Sequence, residues 1–265
     1  MNERAGGIEN ATSPVARAGR AGNTTLTAIV LRRTDFRESS RIVTCLTRDH
    51  GRIKALAKGA HRPDSAFLGR LDFLNEVRAT FAADRGGLRL LARAELVRER
   101  RTLREPGRFL AASHLAQLCE FAMPDARPAP EVYELLSGGL SLLERCPEAA
   151  LGQVVLGLEL RHLELLGALP DLHHCTTCGA PLPGGAFRNA DNPGLVCRAH
   201  ASLPRLAVSA EVLQLLRTLH ASPGRQWPQF EPPASPRMAA PMTALWLAAA
   251  TEQRSRLRPL LFDRF

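Results

Sequence analysis

Apolar and polar positions alternate from Leu26 to about Val97, and beyond Arg104 the apolar residues recur at helical spacing, so the chain reads as two differently built halves. Leu26–Arg32 has the pattern of a strand. Arg41–Thr47 and Arg52–Lys58 flank Arg48-Asp49-His50-Gly51, a polar turn ending in glycine, and together predict a hairpin. Leu71, Phe73, Val77, Ala79 and Phe81 alternate with largely polar neighbours, Ala82–Gly87 turns the chain, and Leu88–Val97 returns as a further strand. Five short strands over residues 26–100 fit a small β-barrel of the OB-fold type, in which closure removes exposed strand edges.

In the second half Ala111, Leu115, Leu118 and Ala122 share one helical face, and Leu151, Val154, Val155, Leu158 and Leu165 share another. Pro124, Pro128 and Pro130 break the chain between them, and Glu131–Glu144 makes a helix of its own, which gives a small bundle. Ser209 caps a last clear helix running through Leu219, and Ser222–Pro241 reads as a proline-rich linker. The expected fold class is therefore α+β. An OB-fold domain (residues 26–100) precedes a helical domain (101–169 and 203–265) that carries an insertion at 170–202. Residues 1–25, rich in Ala, Gly, Asn, Ser and Thr without an apolar period, read as a disordered extension or an over-called start.

That insertion carries the sharpest chemical signal. Cys175-Thr-Thr-Cys178 is followed by Cys197-Arg-Ala-His200, and two such knuckles predict one tetrahedral zinc ion held by Cys175, Cys178, Cys197 and His200. Four protein ligands leave no position for a catalytic water, so the zinc reads as a structural brace for a segment too small to be held by apolar burial. His173 or His174 is an alternative fourth ligand, and a disulfide is the competing use of the thiols. Cys45, Cys119 and Cys146 read as buried core thiols.

Composition adds a partner. The 265-residue chain is 45% hydrophobic, an ordinary globular value, but its net charge is +9. Residues 26–100 carry 16 basic and 9 acidic side chains, whereas 101–170 carry 6 basic and 9 acidic. A uniform codon bias toward arginine would not leave a basic block beside an acidic one, so the barrel is expected to face a polyanion. Its candidate nucleic-acid-binding residues are Arg32, Arg33, Arg37, Arg41, Arg52, Lys54, Lys58, Arg62 and Arg70. Only Phe36, Phe67, Phe73 and Phe81 are available for stacking, and alternation places Phe73 and Phe81 in the core, so the stripe predicts backbone binding more than base reading. Ser39, Ser40, Ser113 and the histidines show no catalytic spacing, which argues against an enzyme. No apolar run reaches membrane-spanning length and no signal peptide is visible, so a cytoplasmic protein with no membrane contact is expected, nucleoid-associated where the polyanion is DNA.

Two blocks carry a family resemblance. The first is Ala28-Ile-Val-Leu31, Glu38–Thr47 and Gly51-Arg-Ile-Lys54 through Ala57-Lys-Gly-Ala60; the second is Leu165-Leu-Gly-Ala-Leu-Pro170, Leu172 and Cys175–Gly179, with Phe187, Gly194 and Cys197 in order. Together they resemble the RecO family of bacterial recombination mediators. His200 stands where many zinc-bearing members have cysteine, and Pro193-Gly194 where Gly-Gly is usual. The resemblance implies binding of single- and double-stranded DNA and annealing of complementary strands. It also implies engagement of the acidic C-terminal tail of single-stranded-DNA-binding protein, for which an apolar groove rimmed by arginine is expected in the helical segment. Work with RecR, and in some bacteria RecF, would then load RecA onto coated strands. The rival reading is a zinc-containing RNA-binding translation or transcription factor, which would prefer structured RNA.

Overall fold

In the computed structural model residues 22–83, 88–122, 127–190 and 192–264 are described. Most of the expected N-terminal extension, residues 1–21, lies outside them. Five strands follow: β1 (Thr24–Phe36), β2 (Ser40–Thr47), β3 (Gly51–Ala57), β4 (Glu76–Phe81) and β5 (Arg89–Arg98). They close in the order β1-β2-β3-β5-β4, with β3 and β5 parallel and every other pair antiparallel. This is the OB-type barrel the alternation predicted. Its narrow interior is filled by Ala28, Val30, Val43, Cys45, Ala55, Ala57, Val77, Ala79 and Phe81, many of them small.

Two details differ from the periodicity. β1 runs on to Phe36 past a register shift between Val30 and Arg32, which lets one strand pair with β4 through its first half and with β2 along its length. β4 starts at Glu76 rather than Leu71. Leu74 takes a left-handed φ of 66°, and its N–H donates to Val30 O while Val30 N–H donates to Asn75 O, so this segment folds onto the β1 irregularity instead of extending. Phe73 consequently packs edge-on against Phe109 of the helical part, with centroids 5.8 Å apart, not inside the barrel.

The helices are α1 (Pro106–Phe121), α2 (Pro130–Arg145), α3 (Leu151–Leu165), α4 (Ala210–Ala221), α5 (Pro236–Thr251) and α6 (Leu257–Phe262). α3 is the central post: all but Arg161, Glu164 and Leu165 of its residues are buried. Ser209 caps α4 as expected, its Oγ accepting from Val212 N–H. The segment read as a linker is ordered and packed. Trp227 is buried in a 3-10 turn, donates from Nε1 to Leu219 O, and lies against Gly157 of α3 so closely that a Cβ there would sit 2.7 Å from the indole. α5 then begins at Pro236 and continues through Pro241. Prolines at 223, 228, 232 and 233 shape this passage, but a single large buried ring fixes it.

Barrel and bundle are joined by apolar and charged contacts. Ile29, Leu31, Leu46 and Leu74 of the barrel belong to the helical core. Arg100, buried at the junction, pairs with Glu144 at 2.8 Å and with Glu76 at 3.7 Å, and Tyr133 donates to Glu76 at 3.1 Å. Gly51, at φ 61°, lies beneath the Arg127 carbonyl, where a Cβ would come within 1.9 Å of the oxygen. No helix among the described residues is long and apolar enough to cross a membrane.

Candidate metal centre and nucleic-acid interface

The insertion folds as two knuckles and a short ribbon, β6 (Ala186–Asn189) with β7 (Arg205–Val208). The first knuckle turns because Gly179 takes φ 71° and donates to Cys175 O at 2.8 Å. The second is the 3-10 turn Arg198–His200, closed by His200 N–H to Cys197 O. Thr176 N–H donates to Leu195 O, which holds one knuckle over the other, and Gly194 is needed there because a Cβ would sit 2.4 Å from the Thr176 methyl.

The side chains of Cys175, Cys178, Cys197 and His200 converge, with ligand atoms all within 4.8 Å of one another. Sγ of Cys178 and Cys197 are 4.0 Å apart, and His200 Nδ1 lies 3.3 Å from Cys197 Sγ and 3.9 Å from Cys175 Sγ. A tetrahedral metal–thiolate site has an S···S edge of about 3.8 Å, so this spacing suits a shared ion. All six cysteines are free, and 4.0 Å is far beyond disulfide length. His174 is turned away onto Asp171 at 2.9 Å, leaving His200 as the fourth donor of the cluster. Burial opposes ionisation of Cys175, yet backbone N–H groups of Cys197, Cys178 and Thr177 outweigh it and bring the thiol down to about 6. Such a donor set can hold one metal ion and leaves it no open protein-free position among the four.

The knuckle is docked, not dangling. Leu172, Cys175, Leu182, Ala186, Leu195 and Val196 belong to the same core as the helices. Arg217 of α4 donates to Leu172 O and Leu182 O, and Trp246 of α5 donates to Pro193 O at 2.7 Å.

On the barrel the nine candidate cations divide. Arg32 pairs with Glu120 of α1 at 3.0 Å, and Arg52 lies 3.7 Å from the same carboxylate. Arg33 is bonded to Asp72. Arg41 pairs with Asp35 at 3.0 Å, and Asp35 also meets His61; its carboxyl is held below the usual range first by the Arg41 hydrogen bond. Arg70 donates to Ala94 O. Arg37, Lys54, Lys58 and Arg62 are exposed and have no acidic partner among the described residues. Arg37, at a left-handed φ of 56°, lies over the Phe36 ring at 5.3 Å. Sequence alone did not separate the spent cations from the free ones, because Glu120 and Asp72 reach the stripe from distant positions in the chain.

For the arginine-rimmed apolar groove expected in the helical part, whose residues the sequence does not name, there is one candidate place. A cavity of about 520 Å³ is lined chiefly by apolar side chains, among them Leu118, Phe121, Leu206 and Leu245, with Arg254 and Arg258 contributing its cationic groups. Its lining comes from α1, β7, α5, α6 and the α5–α6 connection that carries Arg254, so no local pattern announces it.

Residues 22–100 match the family described as "Recombination protein O N terminal", and residues 103–247 match "Recombination protein O C terminal". The chain is 32% identical over 198 residues to the DNA repair protein RecO of Bacillus pumilus, covering 72% of this chain and 75% of that one. It is 34% identical over 175 residues to that of Pelobacter propionicus, covering 66% and 70%. To that of Anaeromyxobacter dehalogenans strain 2CP-C it is 33% identical over 219 residues, covering 80% and 84%. With its closed barrel, helical domain and cysteine–histidine cluster, the chain belongs to the RecO family of DNA repair and recombination proteins.

Proposed function

We propose that this protein is a non-enzymatic recombination mediator that binds single- and double-stranded DNA through barrel cations and anneals complementary strands. With RecR, and in some bacteria RecF, it helps load RecA onto strands coated by single-stranded-DNA-binding protein in the cytoplasm. The observation that carries this reading is the set Arg37, Lys54, Lys58 and Arg62, exposed and without carboxylate partners among the described residues. Contacts that neutralise phosphates lower the repulsion between two strands while leaving base edges free to pair.

Zinc is the proposed occupant of the Cys175, Cys178, Cys197 and His200 cluster, since thiolates with one imidazole favour it over hard cations. When bound, it supplies a cross-link between knuckles and no chemistry of its own. Removal by a chelator is expected to loosen residues 172–202 while the barrel stays folded. Hydrogen exchange read with and without chelator should rise across the knuckle and remain unchanged over β1–β5; a uniform rise, or none, would count against the bracing role.

The apolar groove of about 520 Å³ suits the acidic tail of the single-strand binder, with Arg254 exposed at its edge and lacking an acidic partner among the described residues. The whole reading is tested by annealing complementary oligonucleotides already coated with the cognate single-strand binder. Acceleration by this protein is expected, and it should fall in an Arg254→Glu variant on coated strands only. No acceleration on bare or coated strands would remove the assignment.

A further inference from the structure

The apolar groove in the helical part has a wall that does not come from a helix. Leu206 of β7, 37% exposed, lines it alongside Phe121 and Leu245, and β7 is a strand of the metal insertion. In the β6–β7 ribbon Ala186 pairs with Val208 and Arg188 with Leu206, so these four side chains share one face. The inner pair, Ala186 and Val208, is buried in the helical core; the outer pair carries Leu206 to the groove with Arg188 beside it. Arg188 is half-buried, and among the described residues its Nε has no hydrogen-bond partner and its guanidinium no acidic one. A ribbon of two four-residue strands is marginal by itself in water, and this one is held by the metal centre. The connection between the strands, residues 190–204, carries Cys197 and His200, two of the four ligands. Val196, next to Cys197, exchanges two backbone hydrogen bonds with Phe187 of β6 at 2.8 and 2.9 Å. Asn189, at the end of β6, donates from Nδ2 to His200 O at 3.0 Å, and its Oδ1 accepts from Ser202 N–H at 3.0 Å.

We infer that the metal insertion belongs to the peptide site: Leu206 meets apolar side chains of the acidic tail, Arg188 meets its carboxylates, and metal occupancy of the cluster sets how tightly the tail binds. The inference rests on the proposed docking of that tail in the groove and adds to it two contact residues and a control. An acidic peptide is the occupant that Arg188 and Arg254, both without acidic partners among the described residues, complement. With four ligands gathered on one ion, the Val196 and Asn189 bonds fix β6, and β6 keeps Leu206 in the wall. With the ligands released, the connection gains freedom and the ribbon is left near the stability of an isolated hairpin. The groove then loses an apolar wall and a neighbouring cation together. The barrel takes part in none of these hydrogen bonds, so DNA binding lies outside the control.

The test uses the full chain and a fluorescent peptide with the sequence of the cognate single-strand binder's acidic C-terminal tail, read by anisotropy. Zinc-loaded native protein should bind it saturably. Protein stripped by a chelator should bind about tenfold or more weakly, and zinc added back should restore the affinity. Hydrogen exchange over β7 should rise on stripping, while affinity for a bare oligonucleotide stays as it was. Leu206→Ala should weaken the peptide about tenfold with one zinc retained per chain and little change in melting temperature. Arg188→Glu should weaken it at least as much, and more in dilute than in concentrated salt. Asn189→Ala keeps all four ligands and cuts the tie between His200 and β6, so it should retain zinc and still bind the peptide weakly. Equal peptide affinity with and without zinc, or native affinity in Leu206→Ala, overturns the inference and leaves the groove reading standing. The Leu206 variant keeps its metal and its core, so it decides the question even where stripped protein unfolds. Absence of saturable binding to zinc-loaded native protein has a separate meaning: the groove does not take this tail, and both readings fall.

Discussion

Replacing Arg258 by alanine is expected to destabilise the protein by about 3–5 kcal/mol, because it leaves a carboxylate buried without its counter-charge. Glu159, in the middle of α3, is fully buried. It accepts from Arg258 Nε at 2.6 Å and Nη2 at 2.9 Å, from Thr243 Oγ1 at 2.5 Å, and from His114 Nε2 at 2.7 Å. Arg258 is 9% exposed and also donates to Ala240 O, so this one guanidinium ties α6 to α3 and α5. Chemical denaturation should show the loss for Arg258→Ala, whereas Glu159→Leu with Arg258→Met should cost less than the two single changes combined. A loss below about 1 kcal/mol for Arg258→Ala would place the pair among weak surface contacts and contradict this account.

The same post sets an acid limit. Burial opposes ionisation of Glu159, but Arg258 and His114 outweigh it and lower its pKa to about 2, well beneath the ordinary carboxylate value of 4.5. A depressed carboxylate stabilises the fold above its unfolded pKa, and that contribution drains away as pH falls from about 4.5 toward 2. His162, one turn along α3, is fully buried, has both ring nitrogens without hydrogen-bond partners among the described residues, and is lowered from 6.5 to about 4, first by burial. Its neutral form is the one the fold accepts, so its share is present above pH 6.5 and lost on acidification toward pH 4. Stability measured from pH 7 to pH 4 should therefore fall, and His162→Leu should flatten that part of the profile. An unchanged profile in the variant would remove His162 as the cause.

The second large effect concerns function. Reversing Arg37, Lys54, Lys58 and Arg62 to glutamate together should lower affinity for single strands on the order of a hundredfold or more at moderate salt and abolish annealing. None of the four has an acidic partner to lose among the described residues, so each reversal should change stability by no more than about 0.5 kcal/mol. Reversing Arg33 and Arg41 instead should disturb Asp72 and Asp35 contacts, so stability should change there as well as binding. The contrast separates cations that face a ligand from cations that serve the fold.

The fold class was legible because its signals are local. Alternation, the Arg48–Gly51 turn and the Ser209 cap are each written within a few residues, and they marked the barrel and α4. The metal cluster was legible for the same reason, since the two knuckles lie 18 residues apart and ligand spacing follows from the turn. What was not legible depends on distant partners. Leu74 bends the chain only because Val30 is there to receive its N–H, and Trp227 turns a proline-rich stretch into packed structure only because Gly157 leaves room. Likewise Glu120 lies 88 positions from Arg32, so a count of barrel charges alone overstated the free ones. The groove and the Glu159–Arg258 clamp join segments far apart in sequence and leave no periodic trace.

Everything functional rests on barrel cations meeting phosphates, and the dependence of oligonucleotide affinity on salt tests that most directly. Each contact on a single strand contributes about −0.7 to the slope of log K against log salt, so the four free cations predict a slope of about −3 or steeper for the native protein. The quadruple reversal should bring it close to zero. A shallow slope in the native protein, or the same slope in both, would contradict the assignment.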